Sequence, residues 1–399
     1  MEKTFTPFEI RLRTDVRFGP GVEKKAGEMI QMYGGSKVLF LYGGGSIKKT
    51  GLYDTITASL KEAGLSFIEC GGVQPNPRRS LVEKAADLAK KEGVDFILAV
   101  GGGSVIDSAK AIGLALEDEG NYWEFFQKKR FPQKMTPVGC IHTLSATGSE
   151  MSVYAVIKDD VDTGLKYGCN GFANQTTFAL MDPELTYSVP AYQTAAGAAD
   201  IFSHTFERYF VRSSRNLSDE FALGLLRTVV KYARKAIEQP SDYEARAELM
   251  LAGAYSHNGI TGIGRSGMPF TAHGIEQSIT ALYDTAHGAT LSVIMPAELQ
   301  FIIEHGDDSA IEKVAQMGVE VFGVKPDYLD MKGVAREGCL RFKNWLKSIG
   351  MPITLSELGV PESDIPHLAS LAQYGENGKL NGYMALTPDD VLSLLMSCK

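Results

Sequence analysis

Two apolar, strand-forming runs in the first quarter of the chain end in the same tetrapeptide. Lys37-Val38-Leu39-Phe40-Leu41-Tyr42 stops at Gly43-Gly44-Gly45-Ser46, and residues 95–100 stop at Gly101-Gly102-Gly103-Ser104. Helical patterns follow at 52–63 and 105–116, with a strand at 66–70 and a helix at 79–91 between them. Strand, glycine turn and helix repeating at this pace predict a parallel sheet covered by helices.

Residues 136–142 and 151–158 add strands. The run 159–164 reads as a hairpin turn leading back to Lys166 and Tyr167, and 177–181 as the last strand of this half. After Asp182-Pro183 the text becomes helical and stays so. Pro190 suits a first helical position, and 191–211 carries a helical pattern despite Gly197. Ser241-Asp242-Tyr243-Glu244 and Thr387-Pro388-Asp389-Asp390 read as capping boxes that open further helices. The expected architecture is α/β: a Rossmann-like nucleotide-binding domain over 1–185, then an all-helical domain over 186–399.

Composition narrows the function. A net charge of −8 argues against a nucleic-acid binder, which carries a basic face. Apolar runs end after a few residues, far short of the ~20 that a membrane span needs. Met1-Glu2-Lys3-Thr4-Phe5 has no apolar core of a secretory signal, and the five cysteines form no CxxC pair. A reducing, cytoplasmic compartment is expected.

Each glycine turn, by opening a helix, offers free backbone N–H groups to an anion such as a pyrophosphate. Neither satisfies the full G-x-G-x-x-G fingerprint, and both also read as plain tight turns. Asp200 and His204, four apart in a helical run, share one face. His273 opens the next strong helical pattern after a passage containing Gly259, Gly262, Gly264 and Gly267, and His287 follows at an inter-helix turn. One carboxylate and three imidazoles make a nitrogen/oxygen set suited to Fe²⁺ or Zn²⁺. Taken singly, each histidine reads first as a hydrogen-bonded core or surface residue, and only second as a ligand. His257 competes as a ligand, whereas His142, His305 and His367 are weaker candidates. Glu207 and Arg208 read as supporting or surface residues. The run 143–150 is a third polar turn, an ordinary loop on composition alone.

Taken together, residues 101–110, 143–150 and 181–186, the stretch Ala199-Asp200-Ile201-Phe202-Ser203-His204, and the His273…His287-Gly288 pair resemble the iron-containing (group III) alcohol dehydrogenase family across nearly the whole chain. Residues 42–51 and 74–77 are similar to its butanol dehydrogenase and broad aldehyde reductase branch. The resemblance implies a dehydroquinate synthase-like architecture and one divalent metal on Asp200, His204, His273 and His287, Fe²⁺ favoured and Zn²⁺ the alternative. It also implies a nicotinamide cofactor in an interdomain cleft, with its pyrophosphate on Gly102, Gly103 and Ser104. Asp107, Thr143, Thr147 and Lys166 match positions that line the cofactor. Where many relatives carry a histidine near the nicotinamide, this chain has Gln277, which hydrogen-bonds but cannot titrate.

The expected function is interconversion of primary alcohols and aldehydes by hydride transfer, in a cytoplasmic homodimer acting on a small molecule. NADP(H) is favoured over NAD(H). NAD-using relatives place an aspartate after the first strand of this domain, and here Gly43, Gly44, Gly45 and Ser46 stand instead, followed by Lys48 and Lys49. Glu69 could still hold a ribose hydroxyl. The alternative is a metal-dependent lyase like 3-dehydroquinate synthase, which uses bound NAD. That enzyme needs a basic cluster, and here the glycine-rich passage offers only Arg265.

Overall fold

The computed structural model describes residues 6–212, 216–265 and 270–399; Gly267 and the segment 1–5 read for a leader lie outside them. The strands in chain order are β1 (Asp15–Phe18), β2 (Lys37–Tyr42), β3 (Ser66–Cys70), β4 (Phe96–Gly101), β5 (Val138–His142), β6 (Tyr154–Lys158), β7 (Lys166–Asn170) and β8 (Phe178–Met181). Six form one parallel sheet in the order β1-β8-β5-β4-β2-β3, and β6 and β7 pair as an antiparallel hairpin. The helices of this half are α1 (Ala26–Met32), α2 (Ser46–Lys49), α3 (Leu52–Glu62), α4 (Arg79–Glu92), α5 (Gly103–Glu117) and α6 (Trp123–Phe126).

The sheet is covered on both faces, which is why its strands read as continuous apolar runs rather than alternating ones. Val38, Phe40, Leu98 and Ile141 pack with Ala26 of α1 and Ile56 of α3. Leu39, Leu41, Ile97 and Ala99 pack on the other face with Val82 of α4 and Ile106 of α5. From β2 the chain steps to β3 on one side, then returns to β4 on the other. The reversal of strand order between β2 and β4 is where open α/β sheets bind ligands, at the carboxyl ends of the strands. Both glycine turns sit at that edge, with Tyr42 paired to Val100 and His142 to Gly101.

After β8 the chain continues with α7 (Ala191–Tyr209), α8 (Asn216–Glu238), α9 (Tyr243–His257), α10 (Thr271–Tyr283), α11 (His287–His305), α12 (Asp308–Phe322), α13 (Met331–Ser348), α14 (Ile365–Ser370) and α15 (Pro388–Ser397). No described helix is long and apolar enough to cross a membrane.

Several elements differ from the sequence reading. The strand expected from 151 begins at Tyr154, because Met151 N–H bonds back to Gly148 O at 3.1 Å in a turn. Pro190 caps α7 from outside the helix, with ψ of 149°. The cap of α9 is Asp242, which accepts from Ala245 N–H, and not Ser241. His287 is the first residue of α11 and not a turn residue. Among the described residues two compact units emerge, one of 11–189 with 240–258, the other of 6–10, 190–212, 216–239, 259–265 and 270–399. Helix α9 thus belongs with the α/β half, where Met250 and Ala254 join the core beside Ile106.

Candidate metal centre and nucleotide site

Asp200 and His204 lie one turn apart on the buried face of α7, at 2% and 3% exposure. Helix α11 reaches them because its second residue is Gly288. A Cβ there would stand 1.9 Å from Ala196 O and 3.1 Å from Asp200 N, so only glycine permits this approach. His287 Nε2 is thereby set 3.6 Å from Asp200 Oδ1, and His204 Nδ1 lies 3.5 Å from the same oxygen. His273, in the first turn of α10, completes the group, its ring centroid 4.9 Å from that of His204 and 5.0 Å from that of His287.

The two later histidines each face a carboxylate. Glu207 of α7 accepts from His273 Nδ1 and also from Ala272 N–H at 2.6 Å and His273 N–H at 3.3 Å. One carboxylate therefore both caps α10 and turns the His273 ring. Glu276, fully buried on α10, holds Oε1 2.8 Å from His287 Nδ1 and also accepts from Thr280 Oγ1. With its Nδ1 bonded in this way, His273 has Nε2 free to face the cluster. Arg208 braces α7 from within, donating to His204 O at 2.7 Å over the Phe270 ring. Glu298 is held up to about 8 by burial, with the charge of Glu207 adding to the effect.

These residues fit a divalent cation. One donor atom from each of Asp200, His204, His273 and His287 lies within 4.8 Å of the others. Four donors around one centre at bonds of about 2.0–2.2 Å stand roughly 3.3–3.6 Å apart, which matches the 3.5 and 3.6 Å separations here. His273 Nε2 is a buried nitrogen with no hydrogen-bond partner among the described residues. A buried carboxylate such as Asp200 is tolerated where it faces positive charge. His257 is not part of the group: it ends α9 in the other compact unit, with Nδ1 3.0 Å from Thr147 O. His142 is buried beside Glu150, Nδ1 to Oε2 being 3.5 Å.

In the α/β unit, three polar turns stand side by side at the carboxyl edge of β2, β4 and β5. Gly102 caps α5 with its backbone extended. Gly103 is needed because Thr147 packs on it, and a Cβ would meet Thr147 Oγ1 at 2.2 Å. Thr143 N–H bonds Gly101 O at 3.1 Å, tying the third turn to the second. Asp107 uses its carboxylate to fix that turn, accepting from Ser149 Oγ at 2.5 Å and Val156 N–H at 2.9 Å. Lys110 is buried and donates to the carbonyls of Ser149, Ser152 and Tyr154 at 2.7–2.9 Å. Burial draws its ammonium down to about 8. Lys166 stands on the separate hairpin, opposite Lys158. In the first turn Gly44, Gly45 and Ser46 are exposed, and nothing would obstruct a Cβ at Gly44 or Gly45. Glu69 is engaged by Tyr53 Oη at 2.6 Å and Tyr42 Oη at 3.1 Å.

The family model described as iron-containing alcohol dehydrogenase matches residues 13–183, and its C-terminal counterpart matches 194–398. The chain is 37% identical over 388 residues to NADH-dependent butanol dehydrogenase A of Clostridium acetobutylicum, covering 97% of this chain and 98% of the relative. It is 34% identical over 382 residues to the NADPH-dependent aldehyde reductase YqhD of Escherichia coli, covering 93% and 95%. The crystal structure of NADH-dependent butanol dehydrogenase A from Thermotoga maritima superimposes with a TM-score of 0.93 at 38% identity, covering 99% of both chains. Glycine turns at the reversal of strand order and a helical carboxylate–histidine cluster thus occur in a chain that belongs to the iron-containing alcohol dehydrogenase family.

Proposed function

We propose that this chain interconverts primary alcohols and aldehydes with NADP(H), using one divalent ion on Asp200, His204, His273 and His287. The observation that carries the reading is the convergence of those four donors within 4.8 Å. When bound, the ion supplies Lewis acidity toward a substrate oxygen and the nicotinamide supplies or accepts the hydride. Glu207 fixes the tautomer of His273, keeping its proton on Nδ1, and Glu276 places a carboxylate beside His287 Nδ1. Gly102, Gly103 and Ser104, at the start of the 15-residue α5, offer the backbone N–H groups that suit a pyrophosphate. Asp107 and Lys110 position the turn that carries Thr143 and Thr147 rather than contributing charge to a ligand.

Fe²⁺ is the proposed ion, following the family description, and the donor set also suits Zn²⁺. Family models that cover both halves of the chain favour the oxidoreductase over the lyase reading. A cytoplasmic homodimer is carried over from the family resemblance; the five free thiols suit a reducing compartment.

The cofactor preference rests on the exposed first turn, which carries no carboxylate to repel a 2′-phosphate and is followed by exposed Lys48 and Lys49. Glu69 is already engaged by two tyrosine hydroxyls. The names of the relatives divide on this point, since the butanol dehydrogenases are called NADH-dependent and YqhD NADPH-dependent. Measuring kcat/KM for NADPH and NADH with butanal, in the wild type and in Gly44→Asp, tests the reading. The wild type should favour NADPH and the variant should reverse that preference. A wild type that favours NADH would contradict it.

A further inference from the structure

Between Thr271 and Ala281 of α10 every residue is buried except His273 and Gln277. Four apart, these two lie one above the other on the same face. The helix is therefore open along one narrow strip, which starts at a histidine of the candidate metal centre and ends at an amide. That amide is held. Gln277 Oε1 accepts from Gln373 Nε2, and Gln373 N–H donates to Gly274 O at 3.0 Å.

The segment carrying Gln373 is itself laid against α10. Leu380 fills the space over Gly274, where a Cβ would come within 2.6 Å of Leu380 Cδ1. Leu380 and Leu386 exchange backbone bonds of 2.9 Å, and Thr271 Oγ1 donates to Asn381 O at 3.4 Å. Fixing a long glutamine side chain costs rotamer entropy unless a partner holds it, and here a second amide does so. The pairing uses the oxygen of Gln277. Its NH₂ group, with two donors, has no partner among the described residues and stands on the strip that begins at His273.

We propose that Gln277, latched by Gln373, determines substrate specificity. Its amide hydrogen-bonds a second oxygen on the substrate, so aldehydes and primary alcohols with a hydroxyl a few bonds from the reacting carbon are favoured over plain alkyl ones. This rests on the alcohol–aldehyde reading above. A site built to bond a substrate hydroxyl rejects the analogue that lacks it, because the site's own polar group is then left unpaired. A half-exposed amide that water can reach discriminates less than a buried one, so a factor of about ten to one hundred is expected.

The test is kcat/KM of the metal-loaded enzyme for 3-hydroxybutanal and butanal in the wild type, Gln277→Leu and Gln373→Ala, with metal content measured in each. The wild type should favour the hydroxylated aldehyde by about tenfold or more. Gln277→Leu should bring the ratio close to one, chiefly through KM for 3-hydroxybutanal, with metal content unchanged. Gln373→Ala, which frees the amide without removing it, should lower the ratio part of the way. Turnover of both aldehydes with the same ratio in wild type and Gln277→Leu would overturn this proposal alone. Turnover of neither by the metal-loaded wild type would overturn the underlying reading as well.

Discussion

A histidine is aimed best when its second nitrogen is held; Glu207 does this for His273, and Glu276 stands 2.8 Å from His287 Nδ1. Losing such a partner typically weakens metal affinity 10–100-fold. Glu207→Gln should therefore lower ion affinity by about that factor in a chelator competition, while keeping an oxygen to cap α10. An unchanged affinity would mean that Glu207 only caps the helix. His257→Ala should retain the ion fully, and loss of metal from it would reopen the choice of ligands. The spacing of Asp200 and His204 was legible in the sequence because four residues of helix define a shared face. Glu276 was not legible. Its partner His287 lies beyond the end of α10, and packing between helices brings the two together.

Among the elements, the approach of α11 to α7 depends on one missing side chain. Gly288→Ala would push a methyl group into Ala196 O, and overpacking of this kind costs about 1–3 kcal/mol. The variant should melt lower and bind metal more weakly, since His287 moves with the backbone. A variant with wild-type melting and affinity would show that the helices shift at little cost. The capping box of α15 was read correctly from Thr387-Pro388-Asp389-Asp390, and Thr387→Ala should cost about 1 kcal/mol. The Thr387 hydroxyl is the largest influence holding Asp390 below its ordinary carboxylate range. A depressed carboxylate contributes stability above its unfolded value of about 3.9, and that contribution is lost as pH falls through the folded value. The difference in urea midpoint between wild type and Thr387→Ala should therefore be larger at pH 7 than at pH 3. An equal difference at both would sever the link to Asp390. Ser241 was the wrong cap because neighbouring Asp242 offers the same chemistry one residue later. β1 escaped notice because Asp15-Val16-Arg17-Phe18 is a short, charged edge strand with little apolar signal.

For the whole molecule, the succession of strand, glycine turn and helix was enough to predict a covered parallel sheet. It could not give the strand order, which depends on the side of β2 to which each crossover returns. That order sets the two glycine turns next to each other at the carboxyl edge. The membership of α9 in the α/β unit was equally hidden, because its apolar face does not say which core it joins. The proposed reaction requires one divalent ion on Asp200, His204, His273 and His287 for hydride transfer. The most direct measurement is anomalous diffraction at the iron edge from crystals of the Fe²⁺-loaded protein, paired with NADPH-dependent butanal reduction in the wild type and His287→Ala. The expected result is a single peak bonded to all four side chains, and loss of both metal and activity in the variant. A peak elsewhere, or a His287→Ala enzyme that keeps its metal and its rate, would contradict it.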